Sequence, residues 1–214
     1  MQQFSFLLFL LCSTLLTSVK ALNILVPGGT GTIAKELFPV LSSHKITVLT
    51  RNAFLAATPT RVSSDFGHLG SSFLSANPHV SLRDWDGGDL LDIVGQDWMG
   101  WQQDTLPKAD IILNLVGGGY TEQRVMATER LVRESLSFAP TDVAFITVSP
   151  TEEDIKVHSK GMYPTKLKRL QLCEDMVTQN CRGETYCLRC DMFDTKALCE
   201  QICEVVGKIE KSKE

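Results

Sequence analysis

Gly28, Gly31 and Ala34 fall at the spacing G-x-x-G-x-x-A in the stretch PGGTGTIA, residues 27–34. Glycines at this spacing let a backbone turn sharply, approach a pyrophosphate with no Cβ in the way, and pack a following helix close to the preceding strand. A helix beginning at Thr32 would offer its unpaired N–H groups and the positive end of its dipole to that anion. Gly28, Gly29, Thr30, Gly31, Thr32 and Ile33 are therefore candidate cofactor-binding residues. A glycine cluster alone is weak evidence. Here an apolar strand, NILV, precedes it and a helical pattern follows, which is the order such a cradle requires. The plainer alternative is a glycine-rich turn of some other α/β protein.

The second candidate is Arg51, at the end of KITVLTR. Dinucleotide sites that take NAD place an acidic residue about 20 positions after the glycines, on the ribose 2′-hydroxyl. None stands there in this chain. A guanidinium at that place can hold a 2′-phosphate bidentately, which points to NADP in preference to NAD. The alternative is a solvated arginine at a strand end.

These residues need a scaffold, and the hydrophobic pattern supplies one. Apolar, β-branched runs predict strands over 23–26, 45–50, 80–85, 109–116, 143–148 and 185–192. Helical periodicity is read over 32–41, 122–138, 165–179 and 196–208, with Pro164 suited to a first turn. Strands alternating with helices imply crossover connections and a parallel sheet, and unbroken apolar runs fit strands covered on both faces. The expectation is an α/β, doubly wound, Rossmann-like parallel sheet of about six strands over residues 22–207. Little chain is left after the last strand for a substrate region. The lysine-rich end, 208–214, reads as a solvated tail.

The chain has 214 residues, 43% of them hydrophobic and 21% charged, with a formal net charge of −4. An acidic balance without a basic run argues against nucleic acid. Residues 4–16, FSFLLFLLCSTLL, are shorter than the roughly 20 apolar residues a membrane span needs. With Val19-Lys20-Ala21 after them, residues 1–21 read as a signal peptide cut after Ala21, or else as an uncleaved anchor. A cut chain would occupy the secretory lumen or the extracellular space. An oxidising compartment would permit one or two disulfides among Cys173, Cys181, Cys199 and Cys203. A zinc site through Cys187 and Cys190 is disfavoured, because residues three apart on a strand face opposite ways. The four histidines are scattered, and His158 alone lies near the candidate site. Trp85, Trp98 and Trp101 could line an apolar site, but are more simply core.

The sequence resembles the short-chain dehydrogenase/reductase superfamily, in its atypical or extended NAD(P)-binding form. The resemblance rests on PGGTGTIA, on VLTRN, on Gly88-Asp89-Leu90, on Asn114-Leu115-Val116-Gly117, on TVS at 147–149 and on CLRCDMF at 187–193. It implies cofactor-side roles for Asp86, Asp89, Asn114 and Gly117. It also implies a Ser, a Tyr and a Lys at the reacting centre, with Ser149, Tyr163 and Lys166 as the candidates. Lys166 would hold the nicotinamide ribose, and Ser149 and Tyr163 would polarise the substrate.

The family's Tyr and Lys sit four apart on one helix, whereas Tyr163 and Lys166 are three apart. A one-residue slip turns a side chain by about 100°. Pro164 at the first helical position would leave Tyr163 at the cap, aimed elsewhere. Two readings follow: an NADP-dependent oxidoreductase or epimerase acting on a small carbonyl or hydroxyl compound, or an NADP-binding sensor, scaffold or assembly protein without turnover.

Overall fold

A computed structural model describes residues 20–58, 69–87, 100–116, 121–158, 162–191 and 194–213. Asp89, Gly117, Trp98, most of the leader and the side chain of His158 lie outside the described residues.

Six strands form one sheet: β1 (Asn23–Pro27), β2 (Lys45–Thr50), β3 (Val80–Asp84), β4 (Ile111–Asn114), β5 (Ala144–Pro150) and β6 (Thr185–Cys190). They are ordered β3-β2-β1-β4-β5-β6 and every pairing is parallel. This is the doubly wound order, whose direction reverses between β1 and β4. The helices are α1 (Thr32–Val40), α2 (Ala53–Ala57), α3 (Ser71–Ala76), α4 (Trp101–Thr105), α5 (Glu122–Phe138), α6 (Glu152–His158), α7 (Tyr163–Asn180) and α8 (Thr195–Ser212). No helix among the described residues is long and apolar enough to cross a membrane.

The strands alternate between two cores, as the two-residue period requires. Ile24, Val26, Ile46, Val48, Ile111, Leu113, Ile146 and Val148 face α1 and α8. Leu25, Leu49, Ile112 and Phe145 face the other side, under α5 and α7. Trp85 and Trp101 belong to this second core, with rings edge-to-face at 5.7 Å, and both are buried. They pack the fold and do not line a site.

Several boundaries differ from the sequence reading, and four of the differences have a visible consequence. β4 stops at Asn114 because Asn114 Oδ1 accepts from Val116 N at 3.1 Å and folds the chain out of the strand. β5 runs on to Pro150, so Ser149 lies within it. α7 begins at Tyr163, with Met162 as its cap, so Tyr163 is helical. Residues 208–212 are not a tail: they continue α8, whose apolar stripe Leu198, Ile202, Val205, Val206 ends on the buried Ile209.

Candidate functional site

The glycine loop joins β1 to α1 at the point where strand order reverses. Gly28 has φ +76°, and a Cβ there would lie 2.7 Å from the Val116 backbone. Only glycine suits both that conformation and that approach. The Gly28 amide donates to Leu49 O, and Thr30 N closes a turn on Gly28 O. A Cβ on Gly29 would strike the Val26 side chain at 2.7 Å. Thr30 is buried against this loop.

Gly31 differs from its neighbours. It caps α1 with extended backbone and offers no side chain to the first turn, and a Cβ added there would meet nothing within 4 Å. The N–H groups of a helix's first turn have no partner inside the helix. Here they open on a cleft of about 350 Å3, lined by Gly28, Gly31, Thr32, Ile33, Ala34, Leu115 and Thr195. Amides, a positive helix end and an empty approach together fit a pyrophosphate.

Arg51 emerges from β2 beside this loop and is exposed. Its backbone is fixed on both sides. Trp85 N donates to Thr50 O, Asn52 caps α2 through Leu55 N, and Ala53 N donates to Asp84 Oδ1 at 2.6 Å.

Asn114 is fully buried. Its Nδ2 donates to Thr128 Oγ1, while its Oδ1 accepts from Val116 N. Both ends of the amide are thus engaged inside the protein, and its part is to shape the turn after β4. Arg124, in the first turn of α5, braces the same turn. Nη1 donates to Asn114 O and Val116 O, and Nη2 to Thr147 Oγ1 and Val148 O. Burial lowers the pKa of this guanidinium to about 10, with the neighbouring Cys173 and Glu174 opposing the shift. The sequence reading passed over Arg124. The signal was its place at the head of the buried stripe Ala127, Thr128, Leu131, Val132 and Ser135, at helical spacing.

Ser149 is buried near the end of β5. It follows Thr147 by two residues and so faces the α5 and α7 side. Tyr163 is half-buried at the head of α7. Its hydroxyl lies 3.5 Å from Glu152 Oε2, and its ring is 5.6 Å from Lys156 Nζ, both on α6. Glu152 also accepts from Arg189, which grips Glu174 with Nε and Nη2. Tyr163 is therefore held toward α6, and no hydrogen bond joins it to Ser149 or Lys166 among the described residues.

The six cysteines after residue 170 are free thiols, which corrects the expectation of disulfides. The sheet divides them into two groups. Cys199 and Cys203 pack on the α1 side, Cys181 packs in the opposite core, and Cys173 lies beside Arg124. Sulfurs on opposite faces of a sheet exceed the reach of a disulfide.

No protein-family model matches the chain. Protein Rcp of Vibrio cholerae serotype O1 is 28% identical over 138 residues, 64% of this chain, and the match spans 60% of that protein's length. Among solved structures, a short-chain dehydrogenase/reductase from Burkholderia vietnamiensis superposes with a TM-score of 0.53 at 11% identity, over 81% of this chain and 83% of that one. A short-chain dehydrogenase from Oenococcus oeni PSU-1 gives 0.50 at 10% identity, over 92% and 93%. ChuY of Escherichia coli O157:H7, described as an anaerobillin reductase, gives 0.50 at 14% identity, over 78% and 71%.

The fold is that of the short-chain dehydrogenases. Within this short-chain dehydrogenase fold the glycine loop, Arg51 and Ser149 all stand at the carboxyl edge of the sheet, around the switch point. Asn114 stands there too, turned inward. Tyr163 and Lys166 share α7, three residues apart, and the tyrosine is engaged with α6.

Proposed function

We propose that the chain binds a nicotinamide dinucleotide at the carboxyl edge of the sheet, takes NADP in preference to NAD, and acts as an oxidoreductase or epimerase on a small carbonyl or hydroxyl compound. The observation that carries this reading is Gly31: an uncapped nine-residue helix opens on space that a side chain would fill. A bound nicotinamide supplies the hydride exchange such chemistry needs. The amides from Gly31 to Ile33 bind the pyrophosphate, Arg51 takes the 2′-phosphate, Lys166 binds the ribose, and Ser149 orients the substrate oxygen. Residues 1–21 serve as a leader to the secretory lumen or the outside, and the mass of the mature protein tests this.

A second reading, NADP binding without turnover, is favoured by one observation: the Tyr163 hydroxyl has its partner on α6, at Glu152. One experiment separates the two. The protein is titrated with NADPH and NADH by fluorescence and then assayed on a panel of carbonyl compounds. Turnover lost in Ser149→Ala supports the enzyme. Tight NADPH binding with no turnover supports the binding protein. Binding of neither nucleotide refutes both readings.

A further inference from the structure

We infer that Gly87 is a specificity-positioning residue: its bare backbone is the seat on which the Arg51 side chain rests, and it thereby sets the choice between a phosphorylated and an unphosphorylated ribose. The inference rests on the proposed reading of Arg51 as the 2′-phosphate ligand.

Gly87 lies three residues beyond β3, with φ +74°. A Cβ built there would stand 3.0 Å from Arg51 Cδ and 3.1 Å from Arg51 Cγ. The methylene stem of Arg51 therefore lies directly across the glycine, at a separation that carbon on that side would not leave undisturbed. The Gln123 amide nitrogen, from the first turn of α5, comes within 4.0 Å of the same point. Three separate elements, the ends of β2 and β3 and the start of α5, thus meet at this seat.

An arginine stem has several rotatable bonds, and its guanidinium discriminates a phosphate only when the fork is presented in one direction. The backbone of Arg51 is already pinned by Thr50, Asn52 and Ala53. Gly87 restricts the stem as well, by offering a flat surface beneath Cγ and Cδ. Two features together demand glycine: the left-handed backbone, and the absence of a Cβ beneath the stem. A side chain at residue 87 would lift Cγ and Cδ and re-aim the fork without touching the pyrophosphate cradle at Gly31.

The test is a double-mutant cycle read by equilibrium binding of NADPH and of NADH to the full chain. Gly87→Ala is one variant. Gly87→Asn is the second, because asparagine tolerates the left-handed region while carrying the same Cβ. Each is made alone and together with Arg51→Ala. The expected result is a loss of about tenfold in NADPH affinity, the size of one forked phosphate contact, with NADH affinity unchanged. In the Arg51→Ala background neither substitution should lower NADPH affinity further. If both cofactors weaken equally in Gly87→Asn, or if its effect adds fully to that of Arg51→Ala, the inference about Gly87 is overturned. If Arg51→Ala leaves the NADPH to NADH ratio unchanged, the reading of Arg51 itself fails, a separate outcome that overturns both.

Discussion

Arg124 Nη2 donates to Thr147 Oγ1 at 2.5 Å, fastening the first turn of α5 to β5 from beneath the switch point. Both terminal nitrogens of this guanidinium donate to carbonyl or hydroxyl oxygens. The fork thus spans β4, the turn after it and β5. Arg124→Met removes every donor and leaves buried acceptors behind, which should cost more than about 3 kcal/mol in urea unfolding. Arg124→Lys keeps the charge but not the fork, and should cost less. A methionine variant within about 1 kcal/mol of the parent would show that the brace contributes little.

Two glycines of the cradle should separate stability from binding. Gly28→Ala places a Cβ against Val116 and strains a left-handed residue, so thermal stability should fall by about 2 kcal/mol or more. A Cβ at residue 31 meets no atom within 4 Å and Gly31→Asp provides the cap that α1 lacks, so stability should hold or rise by about 0.3 kcal/mol. Its carboxylate would occupy the pyrophosphate cradle, and NADPH binding should be lost. Retained binding in Gly31→Asp would remove the cradle from the site.

The buried thiols predict a decline in alkaline stability. Burial raises Cys181, Cys187, Cys190 and Cys199 from 9.0 to about 11 in the folded protein. Between those values the folded chain binds more protons than the unfolded one, so stability falls as pH rises. The contribution is complete below pH 9 and is lost as pH passes 11. Melting temperatures of the parent and of Cys199→Ala across this window provide the check: the variant should show the shallower slope.

Acid should loosen the amino edge of the sheet. His44 Nδ1 accepts from the buried Leu22 amide at 3.3 Å, which requires that nitrogen to be unprotonated. Burial lowers the His44 pKa from 6.5, with Glu210 opposing and His79 adding to the shift. A lowered folded value means stability present above pH 6.5 and lost as pH falls through the folded pKa. His44→Asn keeps an acceptor for Leu22 and does not titrate. Its unfolding free energy should stay flat where that of the parent drops, and parallel pH profiles would refute the assignment.

Much of this architecture was legible from residue pattern. KITVLT and the 122–138 periodicity mark β2 and α5 as observed, because the first is a β-branched run and the second carries a long buried stripe. The glycine loop was legible because its need for bare backbone is local. What escaped depends on contacts between distant segments. Arg124 looks like a surface arginine until β5 lies beneath it, and Gly87 looks like an ordinary turn until Arg51 crosses it. The end of α8 was hidden by lysines that mask Ile209. The state of the cysteines was not legible because spacing in sequence does not show which face of the sheet each one occupies. The aim of Tyr163 depends on α6, an element whose contact with α7 no spacing encodes.

Lys213 donates to Asp142 just before β5 and lies 3.7 Å from Asp110, which itself accepts from Asn23 at the start of β1. Both ends of the described fold are therefore tethered at the amino edge of the sheet, while the cradle opens at the carboxyl edge. The described chain thus begins and ends on the side of the sheet away from the crevice, so a domain fused beyond residue 213 would start from that side.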